Sequence, residues 1–140
     1  MKRFATQGIV RETEITARGY ELDQYGHVNH AVYLNYFEHA RFQAFRQGDF
    51  PPERMAENGW SVYVVRIEVD YLKEVRMGDH IRVRTWLSET RRTSMVIEQE
   101  MCRAAEPEMV VARARVVAVW IGHDRRPTRV PEAVIRVFQP

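Results

Sequence analysis

The sequence predicts an α+β domain in which a five-stranded antiparallel sheet is wrapped around a long central helix. Two patterns carry this prediction. Apolar side chains recur at spacings of three and four over one long stretch, from about residue 30 to residue 46, as in a helix with a buried face. Over five other stretches they alternate with polar side chains. Consecutive strands joined by short turns form antiparallel sheets.

The first strand is predicted from about Ile9 to Arg18, where apolar and polar side chains alternate. The helix is predicted from about His30 to Arg46. Asn29 is its expected N-cap, because an Asn side chain can accept hydrogen bonds from the first free N–H groups, and Gly48 is its expected C-terminal stop. The apolar stripe of the helix comprises Tyr33, Tyr36, Phe37, Ala40, Ala44 and Phe45, widened by Leu34 and Phe42. A helix this apolar should lie against the sheet.

One helical turn is predicted between Pro51 and Asn58, and four strands follow it. They are expected at about Tyr63–Tyr71, Ile81–Leu87, Thr93–Ala104 and Met109–Ile121, with a turn at Glu106-Pro107-Glu108 between the last two. Alternate residues of a strand share one face, so the apolar residues from Tyr63 to Tyr71 should lie together. Because such a sheet leaves its edge strands exposed, we expect a homo-oligomer, a dimer or a tetramer, formed by continuous sheet pairing.

The composition is that of one ordinary globular domain, predicted to span residues 1–140. Hydrophobic residues make up 45% of the chain and charged residues 29%, close to the usual proportions. The net charge of +2 is too small to predict a nucleic-acid or membrane partner. Cys102 is the single cysteine, which excludes an internal disulfide. With no signal peptide and no apolar run of membrane-spanning length, the expected location is the cytoplasm.

Candidate chemistry is concentrated in Glu21–His30, the ten residues ELDQYGHVNH. The first N–H groups of a helix have no acceptor within the helix, so they can polarise a carbonyl oxygen. Gly26 allows the chain to turn between Asp23 and the helix, which could bring a carboxylate close to a carbonyl held on the N–H group of His30. These groups suit acyl transfer or hydrolysis. The same residue types are also common in turns and caps, so their spacing leaves both interpretations open.

The longer run from Glu21 to Arg41, ELDQYGHVNHAVYLNYFEHAR, resembles the signature of the 4-hydroxybenzoyl-CoA thioesterase-like group of hotdog-fold proteins. The shared pattern is an Asp, a turn with Gly, a segment like His-Val-Asn, and a Tyr-rich helix that ends near Glu and Ala-Arg. The predicted order of elements agrees over essentially the whole chain. The resemblance implies a hotdog fold, an acyl-CoA thioesterase without cofactor or metal, and an active site at a subunit interface.

In that family, the residue that matches Asp23 is the catalytic carboxylate, acting as nucleophile or as general base. The helix N-terminus near Asn29 and His30 would polarise the thioester carbonyl through backbone N–H groups. Plant-type acyl-carrier-protein thioesterases, which are distant relatives, use an Asp, an Asn two residues later and a His four residues later. Asp23 and His27 match that pattern, whereas Tyr25 replaces the Asn. His27 is therefore a second catalytic candidate.

The remaining site residues are expected to contact substrate. They are Tyr25, Gly26, Asn29, His30 and Tyr33 beside the loop, with Arg91 and Arg92, which the resemblance suggests for the phosphates of CoA. Arginine suits forked contacts with phosphate. Tyr33 fits the helix core equally well, and a looser cluster of Arg125, Arg126 and Arg129 could assist. No metal-binding motif is present among the histidines, so no metal site is predicted.

Three alternatives to an acyl-CoA thioesterase stay open. The first is hydrolysis of acyl groups carried on acyl carrier protein, an acidic partner that needs a basic docking surface. The second is a non-catalytic acyl-CoA binding protein, although binding alone does not require the carboxylate of Asp23. The third is hydratase or dehydratase chemistry with His27 as the base. The acyl group itself is not specified by the pattern of Tyr, Phe and Val residues.

Overall fold

A computed structural model describes residues 8–140, so residues 1–7 of the predicted domain lie outside the described part of the chain. The elements in chain order are β1 (Arg11–Thr16), a 3-10 turn (Gly19–Glu21), α1 (His30–Gln47), α2 (Pro52–Glu57), β2 (Ser61–Tyr71), β3 (His80–Thr90), β4 (Ser94–Arg103), β5 (Glu106–Ile121) and α3 (Glu132–Val137). All strand pairs are antiparallel, in the order β1-β3-β4-β5-β2. The predicted α+β class and five-stranded antiparallel sheet are confirmed.

Helix α1 packs its predicted stripe against the sheet. Its buried residues are Tyr33, Tyr36, Phe37, Ala40, Ala44 and Phe45. The predicted cap is confirmed, because the side chain of Asn29 accepts a hydrogen bond from the N–H group of Ala31 at 2.9 Å. Gly48 ends the helix, and a Cβ atom there would lie 2.6 Å from Cγ1 of Val137. The expectation that Leu34 widens the buried stripe is wrong, since this side chain is exposed.

A β-bulge in β2 changes which side chains face the core. The pairing of β2 with β5 shifts between Val64 and Arg66, and one extra residue moves the following side chains to the opposite face. Val62 before the bulge and Ile67 after it therefore pack against the same core, whereas Tyr63 is 58% exposed. The prediction of one continuous face from Tyr63 to Tyr71 is wrong at this bulge.

The C-terminal half differs from the prediction in two further places. Residues Glu106-Pro107-Glu108 belong to β5, because the turn before it comes earlier and pairs Arg103 with Glu106. Helix α3 was not predicted. Its Val134 and Val137 are buried, and Phe138 packs edge-on against Phe45 of α1 at 5.9 Å between ring centroids. This segment therefore closes the core at the C-terminal end of α1.

The sheet face away from α1 is charged. One row of directly opposed residues crosses all five strands in the order Glu12, Arg84, Glu100, Arg113 and Asp70. Glu100, which is 1% exposed, lies 3.5 Å from Arg84 and 3.4 Å from Arg113. The main hydrophobic cluster lies on the face that α1 covers, while Trp86, Val96 and Cys102 are buried on the charged face outside that cluster. Among residues 8–140 no helix is long and apolar enough to cross a membrane.

One buried side chain, Gln99 of β4, ties α1 to the sheet by hydrogen bonds. Its amide nitrogen donates to the Phe37 carbonyl at 2.9 Å and to the Thr85 hydroxyl at 3.0 Å. Its amide oxygen accepts from the Arg41 guanidinium at 3.1 Å. Burial lowers the pKa of Arg41, so this acceptor matters for a cation that is largely removed from water. The bonds from Gln99 to Phe37 and Arg41 therefore fix the rotation of α1 about its axis and its position along the sheet.

We predict that Gln99→Leu lowers the free energy of unfolding by about 3 kcal/mol, because three partners, two of them on buried residues, lose their hydrogen bonds to Gln99. Urea unfolding followed by circular dichroism measures this change. The control Gln139→Leu alters an exposed amide near the C-terminus and should leave stability within about 0.5 kcal/mol. Equal stabilities of the two variants would contradict an anchoring role for Gln99.

Candidate active site

The loop before α1 is a tight hairpin that places Asp23 beside the start of the helix. Leu22 and Val28 form an isolated antiparallel bridge, and the N–H group of Asp23 donates to the His27 carbonyl at 2.7 Å. The N–H group of Gly26 donates a hydrogen bond to the Asp23 carbonyl at 3.1 Å. Gly26 has a φ of 82°, a left-handed conformation that favours glycine. The predicted turn at Gly26 is confirmed.

The two carboxylate oxygens of Asp23 have different surroundings. Oδ1 accepts hydrogen bonds from the backbone N–H groups of Tyr25 at 2.8 Å and of His27 at 3.2 Å. Oδ2 has no hydrogen-bond partner among residues 8–140. One oxygen therefore holds the loop in shape, while the other is available to react.

Backbone N–H groups at the start of α1 provide an electrophilic site. Asn29 accepts hydrogen bonds from two of them: its side-chain oxygen accepts from the N–H group of Ala31, and its carbonyl accepts from that of Val32. The N–H group of His30 has no acceptor within the described residues. The positive end of the helix dipole adds to this donor. The arrangement can therefore polarise a carbonyl oxygen, as predicted from the cap position.

Asp23 and the helix start share one open cleft of about 350 Å³. Its lining residues are Asp23, His27, Val28, His30, Tyr33, Tyr71, Leu72, Lys73 and Glu74. The Tyr33 hydroxyl donates to the Lys73 carbonyl at 3.1 Å, and the Tyr71 hydroxyl donates to the His30 carbonyl at 2.9 Å. The two rings meet edge-on at 5.1 Å between centroids. Tyrosines from α1 and β2 thus form one side of the cleft.

A buried carboxylate, Glu21, fastens the hairpin to the middle of α1. It accepts hydrogen bonds from the Tyr36 hydroxyl at 2.5 Å and from the Arg18 N–H group at 2.9 Å, and it pairs with the Arg18 guanidinium at 3.0 Å. Its own carbonyl accepts from the N–H group of Asn29 at 2.9 Å. Burial raises the pKa of Glu21, but the hydrogen bonds from Tyr36 and Arg18 outweigh it and leave the pKa below its usual value.

The ring of His27 lies between the hairpin and the segment that follows β2. Its Nε2 is 3.2 Å from a carboxylate oxygen of Glu74. The hydrogen bond from Arg76 is the main cause that lowers the pKa of Glu74, so this carboxyl is ionised at neutral pH. His27 and Arg76 also form a backbone bridge. The imidazole is therefore paired with a carboxylate inside the cleft.

The structure brings together only some of the predicted site residues. Asp23, His27, His30 and Tyr33 line the cleft, while Gly26 and Asn29 shape the loop and the helix start. Tyr25 contributes its N–H group to Asp23, but its side chain is 75% exposed and lies outside the lining of the cleft. The expected contact between its ring and substrate has no support within one chain.

Arg91 and Arg92 lie at the other end of the sheet. They follow the last residue of β3, whereas the cleft is beside the segment that precedes β3. A strand of 11 residues spans roughly 33 Å, so neither arginine can reach Asp23 of its own chain. Arg91 is paired with Glu89 at 2.6 Å. The structure therefore does not group these arginines with the loop within one protomer.

Sequence reasoning missed the residues that the cleft takes from β2 and the segment after it, namely Tyr71, Leu72, Lys73 and Glu74. Glu21 was part of the quoted motif, but its bond to Tyr36 could not be foreseen. Lys73 and Glu74 lie just beyond the end of β2, where the alternation of apolar and polar side chains stops, and this is the one weak local signal of the segment. Four larger clefts lie elsewhere, and none of them is lined by Asp23. Two of them, of about 510 Å³ each, lie between β1 and α1 and near Trp60 and His123.

The architecture is that of the hotdog fold, with a carboxylate at the N-terminus of its long helix. Comparison with known proteins agrees. Residues 18–138 match the family model of the Thioesterase-like superfamily, and the chain belongs to that superfamily. A crystal structure of DHNA-CoA thioesterase from Staphylococcus aureus is similar at a TM-score of 0.79 and 27% identity, covering 86% of this chain and 80% of that one.

Two curated relatives are also similar along most of this chain. The acyl-acyl carrier protein thioesterase ATL3 of Arabidopsis thaliana, named as chloroplastic, is 29% identical over 91% of this chain and 66% of its own length. The chain thus spans about two thirds of that relative. The long-chain acyl-CoA thioesterase FadM of Escherichia coli is 32% identical over 79% of this chain and 82% of its own length. The predictions of a hotdog-fold thioesterase family and of a thioester hydrolase are confirmed.

The buried Glu21 should make stability depend on pH. Because the pKa of Glu21 is lowered in the folded protein, its ionised form stabilises the fold above the usual Glu pKa of 4.5, and this contribution is lost as the pH falls through the lowered value. We predict that the free energy of unfolding of the wild type declines more steeply below pH 4.5 than that of Glu21→Gln.

Urea unfolding at a series of pH values compares the two proteins. Glu57→Gln is the matched control, since Glu57 is exposed on α2 and should leave the pH dependence as in the wild type. Parallel curves for wild type and Glu21→Gln would show that Glu21 contributes nothing to the acid dependence.

Proposed function

We propose that this protein hydrolyses acyl-CoA thioesters to the free acid and CoA in the cytoplasm. The observation that carries the proposal is that one cleft holds Oδ2 of Asp23 and the N–H group of His30, neither of which has a hydrogen-bond partner among residues 8–140. A carboxylate and an oxyanion donor are the two groups that thioester hydrolysis needs most. The thiolate of CoA leaves readily, so the proposed reaction requires no cofactor and no metal.

The proposed reaction begins when the N–H group of His30 donates a hydrogen bond to the thioester carbonyl oxygen. Oδ2 of Asp23 then attacks the carbonyl carbon and forms an acyl anhydride, or it takes a proton from the water that attacks. In either route the carbon–sulfur bond breaks and the electron pair leaves with the CoA sulfur. The helix N-terminus stabilises the negative charge that develops on the carbonyl oxygen.

The complete site is proposed to need a second copy of the chain. Strand β2 is an edge of the sheet and carries exposed apolar side chains, among them Tyr63, Val64 and Val65, as expected for a strand that pairs further. Antiparallel pairing of β2 with β2 of the partner would set the Ser61 end of one strand beside the Tyr71 end of the other. A dimer with one continuous sheet follows from this pairing, and two dimers could form a tetramer.

This pairing gives Arg91 and Arg92 a role that they cannot have within one chain. Ser61 pairs with Ile121 and Ser94 pairs with Val119, so the turn that contains both arginines lies at the Ser61 end of the sheet. In the proposed dimer that end borders the cleft of the other protomer. The arginines would then bind the phosphates of a CoA molecule whose thioester lies beside Asp23 of the partner.

Acyl groups on acyl carrier protein are the second candidate substrate. The name of the relative ATL3 suggests it, and so does a group of exposed arginines. These are Arg91, Arg92, Arg125, Arg126 and Arg129, and the N–H group of Val130 joins their two segments by donating to the Arg92 carbonyl at 3.0 Å. Such a surface suits an acidic protein. A function in acyl-CoA binding without catalysis is less favoured, because it gives Oδ2 of Asp23 no role.

We predict that Asp23→Asn lowers kcat for acyl-CoA hydrolysis at least about 100-fold, the scale of a lost nucleophile or general base. Asparagine keeps an oxygen for the N–H groups of Tyr25 and His27, so the hairpin should persist. Asp23→Ala removes that oxygen as well and should also lower the melting temperature. Release of thiol from a panel of acyl-CoAs measures kcat and identifies the preferred acyl group.

Asp49→Asn is the matched control, since Asp49 is exposed and its φ of 62° suits asparagine. This variant should keep the wild-type kcat. Near wild-type turnover by Asp23→Asn would remove Asp23 from the reaction.

For the arginines, we predict that a chain carrying Arg91→Ala and Arg92→Ala has a kcat/KM about tenfold lower for acyl-CoA. The kcat/KM for the same acyl group on a truncated pantetheine thioester should stay unchanged, because that substrate lacks the nucleotide phosphates. Mixed dimers of the double variant with Asp23→Asn should recover one complete site and up to half of the wild-type activity. Equal losses on both substrates, or no recovery in mixed dimers, would contradict binding across the interface.

A further inference from the structure

The pairing of His27 with Glu74 is not accounted for by the reaction of Asp23 with the thioester. Glu74 divides its carboxylate between two partners, with Oε2 on the guanidinium of Arg76 and Oε1 at 3.2 Å from Nε2 of His27. Both side chains line the cleft that holds Asp23. The pair therefore combines an imidazole and an oriented carboxylate beside the reacting groups.

The backbone fixes this pair from both sides. The N–H group of Val28 donates to the Val75 carbonyl at 2.7 Å, and His27 forms an antiparallel bridge with Arg76. Arg103 donates to the Glu74 carbonyl at 2.9 Å. The segment of Glu74 is therefore held against the hairpin without help from the imidazole. A structural purpose alone does not require a His at position 27.

The charge of Glu74 favours one of the two neutral tautomers of His27. A carboxylate oxygen 3.2 Å from Nε2 favours the proton on that nitrogen, and Nδ1 is then the nitrogen that can accept a proton. The other charged and titratable groups near the ring are Asp23 on the hairpin, His30 and Tyr33 on α1, Tyr71 on β2, and Lys73 and Arg76 on the segment of Glu74. Glu74 is the group at contact distance from Nε2.

We propose that Glu74 is a positioning residue that holds His27 ready to accept the proton of the hydrolytic water. This inference rests on the proposed function and specifies its second step. Once the Asp23 carboxylate is bound in the acyl anhydride, it cannot act as a base. The water oxygen bonds to the acyl carbon, its proton passes to Nδ1 of His27, and the bond to the Asp23 oxygen breaks. The carboxylate is restored, and the imidazolium later gives its proton to the CoA thiolate.

Steady-state kinetics test the pair in a double-mutant cycle. We expect Glu74→Gln and His27→Gln each to lower kcat by at least about tenfold, the scale of lost acid–base assistance, with KM changed less than twofold. The double variant should be no slower than His27→Gln alone, because Glu74 acts through His27. Glu108→Gln, which alters an exposed carboxylate on β5, should leave kcat unchanged.

Rapid-mixing kinetics separate the two chemical steps. In His27→Gln and Glu74→Gln, thiol release should show a burst of about one equivalent per active site and then a slow phase, because the anhydride forms and is resolved slowly. A single slow phase without a burst, or additive losses in the double variant, would overturn the proposal.

The state of the imidazole can be measured without substrate. Nitrogen-15 chemical shifts, assigned with His27→Gln, should show the proton of neutral His27 on Nε2 in the wild type and a mixture of both tautomers in Glu74→Gln. Identical shifts in the two proteins would overturn the role of Glu74. This readout also separates the two proposals. A wild type without thiol release would refute the thioesterase function, while the effect of Glu74 on the imidazole would still be seen.

Discussion

The burial of one face of α1 against the sheet is the constraint on which the rest of this structure depends. Phe37, Ala40 and Ala44 of that face are fully buried, and the single long helix supplies most of the apolar cover that the sheet has. Apolar burial has no direction, so it does not by itself decide where along the sheet the helix lies. Gln99 supplies that direction, because its amide bonds to a backbone carbonyl in the middle of the helix. The N-terminus of α1 is thereby brought to a defined place at the end of the sheet.

The candidate site is built from what this placement brings together. One side is the hairpin before α1, held to the helix by Glu21 and Tyr36. The other is the segment after β2, whose Val75 carbonyl accepts a hydrogen bond from Val28. Neither segment is a helix or a strand of the core, which is usual for reactive groups carried on a rigid scaffold. Backbone hydrogen bonds at the base of the cleft hold the two segments together, which leaves Oδ2 of Asp23 and the imidazole of His27 as the candidate reacting groups.

Charged and exposed apolar side chains are found on different parts of the sheet surface. The face away from α1 carries alternating acidic and basic residues on successive strands, and Glu100 is buried between two arginines. Exposed apolar side chains instead gather on the edge strand β2 and the residues just after it. The edge is therefore better suited than the charged face to association with a second copy. In the proposed dimer, this edge contact would also place opposite ends of the two sheets side by side, as the proposed binding of CoA across the interface requires.

The sequence by itself determined the fold class, the helix and its cap and the turn at Gly26, and it singled out Asp23 as a candidate, because each of these is encoded by residues close together in the chain. Periodicity and capping are local, and the motif from Glu21 to Arg41 is continuous. Only the tertiary structure decided the rest. The bulge in β2 reverses which residues after it face the core, and α3 covers the end of the core. Glu74 contacts His27, although the two residues are 47 positions apart in the chain. Arg91 and Arg92 were found far from Asp23 of their own chain. Such contacts depend on strand register and on helix placement, which are set by packing of the whole core and not by neighbouring residues.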